Sequence, residues 1–397
     1  MADDRPRILY ITHRVPYPPD KGDRIRNYHV LREMAERARV WLVALADEPV
    51  VEEHRRALAA LCERVETVQV ANKGRWLQAG WSLLCGKSLS EGLFREQALI
   101  ALLPELTAEA NFHSVMISAS SLASCLDAPG LAKLPKHVDL VDVDSQKWLD
   151  FAAASRSPKN WLYRLEGGRV RALETRLTAS VQTLCLVSKA ETELFNGFTH
   201  PDAAITASNG VDLDYFHPQP DVAELPACVF VGAMDYFPNV DAAVWYATTI
   251  HPQVREQFPE AEFHIVGRKP TAHVQKLAAI PGVRVLGTVP DVRPHVAAAR
   301  LAVCPIRVAR GLQNKVIEAM AMAKPTLSTP AAMAALQATP GHDLLQLHSA
   351  DDWVRAICEL WLDGPRRTAL GQAARQYVQS HHHWHRCVRP LIDRVVG

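Results

Sequence analysis

The chain has 397 residues, too many for one ordinary hydrophobic core, so two domains of about 200 residues are the natural expectation. Hydrophobic residues make up 48% and charged residues 22%, an ordinary soluble globular composition. With 44 basic and 43 acidic residues there is no bulk field to steer nucleic acid, which argues against a nucleic-acid partner.

The eight cysteines are scattered, mostly within apolar runs, and form no C-x-x-C pair. That pattern reads as reduced, buried thiols of a cytoplasmic protein, not a disulfide framework or a zinc site. The N-terminus (M-A-D-D-R-P-R) runs straight into a short strand without the apolar region of a signal peptide. No segment reaches the run of about 18 apolar residues that a membrane span needs. The expectation is a cytoplasmic protein that at most lies on the cytoplasmic face of a membrane.

Arg7 to Thr12 (R-I-L-Y-I-T) fits a buried parallel strand. The loop from His13 to Arg24 (H-R-V-P-Y-P-P-D-K-G-D-R) is proline-rich, and Ile25 to Arg37 then follows helical period. Strand, loop and helix in that order open a doubly wound fold. The loop lacks G-x-G-x-x-G, which argues against a nicotinamide or flavin enzyme. Gly22, between Lys21 and Arg24, offers backbone approach and positive charge to a phosphate, and equally fits an ordinary strand-to-helix turn.

Val40–Ala46 and Val65–Val70 read as the next strands, with a helix around 51–63. Between Lys73 and Leu103, Trp76, Leu77, Trp81, Leu84 and Leu89 interleave with Lys73, Arg75, Lys87 and Arg95. Such a stripe can seat a helix in a lipid headgroup layer, although core packing is its commoner use. Ser114–Ser118 and His137–Val143 are expected strands, the second ending near Asp142, Asp144 and Ser145, and strand ends in such sheets carry site residues. A long helix over Trp161–Arg176 leads to strand Thr183–Val187, and Ser188 to Glu191 (S-K-A-E) fits a helix cap.

Residues 200–227, which open H-P-D-A-A-I-T-A-S-N-G-V-D-L-D-Y-F-H-P-Q-P, shift in composition, and their prolines and Asn-Gly turn mark a domain boundary. A second series follows, with strands at Cys228–Val231, Glu262–Val266, Val283–Val285 and Leu301–Pro305. Gly232, Gly267 and Gly287 follow the first three, the signature of a second parallel sheet presenting its loops on one edge.

The stretch from Arg310 to Met322 (R-G-L-Q-N-K-V-I-E-A-M-A-M) comes next. Its free helix-start amides and dipole favour an anion, and Lys315 adds a mobile cation. Glu318 shares a face with Lys315 and could accept hydrogen bonds from the two hydroxyls of a ribose. The reading is a nucleotide diphosphate pocket; a surface helix carrying one Lys-Glu pair fits the same residues. His381, His382, His383 and His385 form a cluster that could bind a metal in principle, and read as the solvated start of a last helix, Trp384–Val396.

Together these residues resemble the family-4 retaining glycosyltransferases of GT-B type. The resemblance rests on S-N-G-V-D-L-D-Y-F (208–216), F-V-G (230–232), I-V-G (265–267), L-G-T-V-P-D-V (286–292) and G-L-Q-N-K-V-I-E-A-M-A (311–321). G-A-M-D-Y-F-P-N-V-D-A (232–242) is similar to the sugar transferase subgroup tied to bacterial exopolysaccharide loci with the PEP-CTERM sorting system.

The resemblance implies an α/β GT-B fold, two Rossmann-like parallel-sheet domains facing a cleft. Residues 1–205 would bind the acceptor, 206–375 would bind the nucleotide-sugar, and 376–397 would return to the first domain. The activity implied is retaining hexosyl transfer from a nucleotide-diphosphate sugar to a carbohydrate or polyprenyl-linked acceptor in cell-surface glycan synthesis. Peripheral contact with the inner membrane surface goes with such an acceptor. No metal and no cofactor beyond the co-substrate is expected. The D-V-D spelling at 142–144 resembles the Asp-x-Asp metal site of another transferase class, but that site belongs to a single-domain fold.

Carried over, Lys315, Glu318 and Asp144 would be catalytic. Gly22, Gly232, Asn239, Gly267, Asp291, Arg310, Gly311, Leu312, Asn314, Lys315, Val316 and Glu318 would bind the donor, with Asp291 or Val289 near the base. Three departures stand out. Arg310 occupies the place of a donor-sugar glutamate. The usual Arg and Lys after the first strand of the second domain are absent, which leaves the phosphate charge to Lys315, aided by Arg307, Arg310 or Lys21. Asp144 stands where many relatives carry histidine. A UDP-sugar 2-epimerase and a non-catalytic nucleotide-sugar-binding protein of the same fold remain alternatives.

Overall fold

A computed structural model describes residues 4–20, 22–70, 74–154, 160–309 and 311–397. The chain divides into two compact units, one of Met1–Ser208 with Val388–Gly397 and one of Asn209–Cys387.

The first unit begins β1 (Arg7–Thr12), α1 (Gly22–Arg37), β2 (Arg39–Ala46), α2 (Glu52–Ala59), β3 (Arg64–Gln69). Three helices follow, α3 (Arg75–Leu84), α4 (Leu89–Leu93) and α5 (Gln97–Glu109), before β4 (Ser114–Ser118) and β5 (Lys136–Val141). The unit continues with α6 (Asp144–Ala154), α7 (Asn160–Leu177), β6 (Thr183–Leu186), α8 (Lys189–Phe198) and β7 (Ile205–Thr206). Its seven strands are parallel in the order β3-β2-β1-β4-β5-β6-β7. Strands covered by helices on both faces must be apolar on both. Accordingly Ile8, Leu9, Tyr10 and Ile11 of β1 are all fully buried. Edge strand β3 is mostly half-buried instead, and only Val68 is buried.

Strand order reverses between β1 and β4, where a doubly wound sheet opens a crevice at its carboxyl ends. Beneath that point Arg26 of α1 makes a fully buried two-pronged bond to Asp139 of β5, at 2.7 and 2.9 Å. Strand β5 stops at Val141, two residues before the expected end. Val141 adopts φ 68°, a left-handed conformation costly for a β-branched side chain, and turns the chain out of the sheet. Ser188 caps α8 by accepting from the Glu191 amide at 3.2 Å, as the S-K-A-E spelling suggested.

The second unit runs β8 (Leu225–Val231), α9 (Phe237–Trp245), α10 (His251–Gln257), β9 (Glu262–Val266), α11 (Ala272–Lys276), β10 (Val283–Gly287), α12 (Arg293–Ala298), β11 (Ala299–Cys304). It closes with α13 (Asn314–Ala321), β12 (Thr326–Ser328), α14 (Pro330–Met333), β13 (Leu345–Gln346), α15 (Ala350–Leu362) and α16 (Gly364–His381). Helix α17 (Trp384–Val396) follows, and its residues from Val388 belong to the first unit. There Ser114 donates to the Val395 carbonyl at 2.8 Å.

The six strands of the second unit are also parallel, in the order β10-β9-β8-β11-β12-β13. Cys228 and Phe230 of β8 face the main core with Phe263, Tyr246 and Trp353, while Val229 faces a smaller one with Val266, Ala319 and Met322. This period-two partition is what a helix-covered strand requires.

Two expectations need correction. The histidine cluster is not simply a solvated helix start. His381 ends α16, and His382 is buried, bonded to the Asn209 carbonyl at 3.1 Å and the Tyr377 hydroxyl at 3.3 Å. The Val211 amide in turn donates to the His382 carbonyl at 2.7 Å, so this histidine ties down the Asn-Gly-Val turn. The apolar stripe of α3 is not core packing either. Trp76, Leu77, Trp81 and Leu84 are 76, 81, 68 and 82% exposed. Lys73 lies outside the described residues. All eight cysteines are free, and Cys85 is the exposed one. Among the described residues no helix is long and apolar enough to cross a membrane.

Candidate functional site

In the second unit strand order reverses between β8 and β11, so the loops after these two strands flank the crevice. The loop after β11 leads through Gly311 into α13. Gly311 has φ 62°, a conformation that a residue without Cβ adopts at no steric cost. Gln313 occupies the cap position of α13 without a side-chain cap, so its first amides have no capping oxygen from that residue.

Lys315 sits in the first turn of α13. Its Nζ donates to Asn239 Oδ1 at 3.0 Å and to Gln313 Oε1 at 3.4 Å, and lies 5.9 Å from the centre of the Phe230 ring. Burial lowers the Lys315 pKa, partly offset by Cys304 and Glu318. One turn on, burial pushes the Glu318 carboxyl up to about 7 against the pull of the Lys315 charge. Both residues line a pocket whose walls are apolar, with Val229, Val231, Val296 and Met322 among them. A cation whose partners are neutral amides, beside a carboxyl held near its protonation midpoint, is suited to an anion that also carries hydroxyls.

Asn239 is the link that sequence reading could name but not place. It is buried in α9, and its Nδ2 donates to the Ala233 carbonyl at 2.9 Å while its Oδ1 receives Lys315. Gly232 makes room for it, because a Cβ there would meet Asn239 Nδ2 at 2.8 Å. A Cβ on Gly267 would meet the Gly232 carbonyl oxygen at 1.7 Å, so the ends of β8 and β9 close on each other through both glycines.

The remaining second-unit candidates divide. Asn314 Oδ1 accepts from Asn209 Nδ2 at 3.3 Å, joining α13 to the Asn-Gly-Val turn. Val316 is fully buried in the main core and Leu312 packs against it, so both side chains anchor the helix. Asp291 is held by Arg293 at 2.8 to 3.1 Å and by the Tyr215 hydroxyl at 3.4 Å, and the hydrogen bond from Arg293 lowers its pKa. Arg293 lies 3.7 Å above the Tyr215 ring. This aromatic-guanidinium-carboxylate group flanks Val292 and Phe216 of the pocket and was not legible, because Tyr215 and Asp291 are 76 residues apart. Arg307, considered as a phosphate cation, is committed to Asp241 at 2.6 and 3.1 Å. Arg310 and Lys21 lie outside the described residues.

In the first unit Gly22 opens α1, exposed, and a Cβ there would meet nothing within 4 Å. Next to it Asp23 receives His13 Nε2 at 3.2 Å and Arg14 at 2.9 Å. Burial opposes ionisation of Asp23, but the His13 bond and the Arg14 charge outweigh it and hold the carboxyl well below its ordinary range. Asp144 opens α6 and accepts from Ser120 at 2.9 Å. Ser145 is buried and its hydroxyl donates to the Glu174 carboxylate at 2.5 Å. Asp142, following the strained Val141, has its carboxyl pushed up to about 6 by burial and by the charges of Glu191 and Asp144.

These two doubly wound parallel sheets are the architecture of the GT-B glycosyltransferases. Residues 226–363 match the family described as Glycosyl transferases group 1, a span that runs from within β8 through α13 and hence includes Asn239, Lys315 and Glu318. Comparison with curated proteins returns no match. Among solved structures, sucrose-phosphate synthase from Thermosynechococcus elongatus is 15% identical, with a TM-score of 0.69 over 98% of this chain and 97% of its own. HepE from Anabaena, solved in complex with UDP-glucose, is 13% identical with a TM-score of 0.68, covering 98% of each chain. WaaG, a glycosyltransferase involved in lipopolysaccharide biosynthesis, is 16% identical with a TM-score of 0.68, covering 98% of this chain and 100% of its own. These likenesses show the fold.

Proposed function

We propose that the protein is a retaining glycosyltransferase that moves a hexose from a nucleotide-diphosphate sugar to a carbohydrate or lipid-linked acceptor in exopolysaccharide or cell-surface glycan synthesis. The observation that carries this reading is Lys315, held by Asn239 at the start of α13 and sharing one pocket with Glu318. The placement lies at the strand-order reversal of a sheet within the segment matched by the group 1 family. The UDP-glucose complex of HepE supports a uridine nucleotide as the donor class.

In this reading the bond between the anomeric carbon and the diphosphate oxygen breaks, and negative charge builds on the leaving diphosphate. Lys315 and the amides of the α13 start are fixed opposite that charge, so they stabilise the transition state without reorganising. Glu318 takes the ribose hydroxyls. Arg268, immediately after Gly267, whose amide bonds the Gly287 carbonyl, supplies a further arginine at the same sheet edge.

Replacing Lys315 with alanine lowers transfer by about 10²–10³-fold, the usual cost of one such donor. The measurement is turnover of a radiolabelled donor by wild type and Lys315→Ala, with melting curves to establish that the variant is folded. Undiminished turnover in a folded variant rejects the role of Lys315. Donor conversion with no acceptor present would point instead to an epimerase.

A further inference from the structure

Helix α3 is amphipathic in the wrong sense for a helix packed on a core. Its buried residues are the small ones, Ala79 and Ser82. At about 100° per residue, Trp76, Leu84, Leu77 and Trp81 fall in an arc of roughly 140° opposite them. All four are 68 to 82% exposed. Contiguous apolar surface of this kind is rare on a protein without a partner there.

The arc is held outward by a built support. Gly92 of α4 packs so tightly on α3 that a Cβ there would meet Ala79 Cα and Ser82 Cβ at 2.7 Å. Ser82 donates to the Ser88 carbonyl at 2.8 Å. Arg169 of α7 caps the end of α3, donating to the carbonyls of Leu83 at 2.6 Å and Lys87 at 2.8 Å. Glu166, on the same helix, receives the Leu89 and Ser90 amides at 2.7 and 3.0 Å. The α3–α4 pair is thus fixed by polar bonds along its inner side, and its apolar side is left for something else.

The charges around the arc say what that is. From residue 74 to 95 the basic residues are Arg75, Lys87 and Arg95, of which Arg95 is exposed. The acidic residue of the segment, Glu91, is buried, closes the Ser88 capping box and pairs with Arg176 at 3.5 Å. The exposed charge that this segment itself carries is therefore positive. Tryptophan and leucine flanked by arginine and lysine, on a helix of about 15 Å, suit an interfacial helix lying in the plane of a bilayer, and the helix is too short to span one. We propose that α3 docks this protein on an anionic lipid surface, with Trp76, Leu77, Trp81 and Leu84 in the acyl boundary and the basic residues at the headgroups. This inference does not depend on the reaction proposed above.

The test is co-sedimentation of the full chain with vesicles of phosphatidylethanolamine and phosphatidylglycerol, against vesicles of phosphatidylcholine alone. Wild type is expected to bind the anionic vesicles and to leave them as salt is raised. The double variant Trp76→Ser, Trp81→Ser is expected to bind at least about tenfold more weakly, with nucleotide binding unchanged. Arg95→Glu supplies a second variant that removes no apolar surface, and should also weaken binding to anionic vesicles. Failure of wild type to bind, equal binding to both vesicle types, or undiminished binding by the variants overturns the proposal. So does light scattering that finds a dimer which the double variant converts to monomers, because a second copy would then cover the arc.

Discussion

Glu318 makes the sharpest residue-scale statement. A carboxyl pushed up to about 7 by burial is largely protonated below that pH, and a protonated carboxyl, with one oxygen turned donor and its charge lost, accepts from two ribose hydroxyls more weakly than the carboxylate does. Nucleotide affinity should therefore rise as pH climbs through about 7, and Glu318→Gln should abolish that step in a calorimetric titration. The same shift has a stability consequence of definite sign. The folded state keeps a proton that the unfolded chain has already lost, so this residue lowers stability as pH rises from the ordinary carboxylate range toward 7. Glu318→Gln should remove that slope from the pH dependence of thermal melting. The spacing of Lys315 and Glu318 is legible in sequence because it is local and helical. The commitments of Arg307 to Asp241 and of Asp291 to Tyr215 are not: a side chain spent on a partner 66 or 76 residues away looks free in a string of letters.

At the scale of elements, α1 is fastened to β5 by Arg26 and Asp139, both without solvent exposure. Burying two charges is costly, and the pair holds because each prong is a good hydrogen bond. Asp139→Ala strands the guanidinium and should cost about 3–5 kcal/mol, read as a lowered denaturant midpoint. Replacing both together, Arg26→Met with Asp139→Leu, should recover most of that loss. Nothing in the amphipathic pattern of α1 signals the pair, since the residues are 113 positions apart. Helix α3 was ambiguous for another reason. Periodicity reports that apolar residues share a face, not whether that face points inward. His382 shows the converse, a polar residue drawn inside because the chain must seal the Asn-Gly-Val turn.

For the whole molecule, the doubly wound plan was readable because strands buried on both faces leave continuous apolar runs, ending in glycine at three strands of the second unit, and the strands of the described residues fall into two all-parallel sheets. Strand ends were misplaced where local geometry intervenes, as at Val141. The sheet order was not readable, yet it is what sets Asn239, after β8, against Lys315, after β11. The central claim is that this place binds a nucleotide-sugar. It is tested most directly by thermal melting of wild type and Lys315→Ala against a panel of nucleotide-diphosphate sugars, since a ligand at 100 times its Kd stabilises by about 2.7 kcal/mol. At least one donor, of the uridine class, should raise the melting temperature of wild type and fail to raise that of Lys315→Ala. A panel that moves neither protein, or moves both equally, would contradict the assignment.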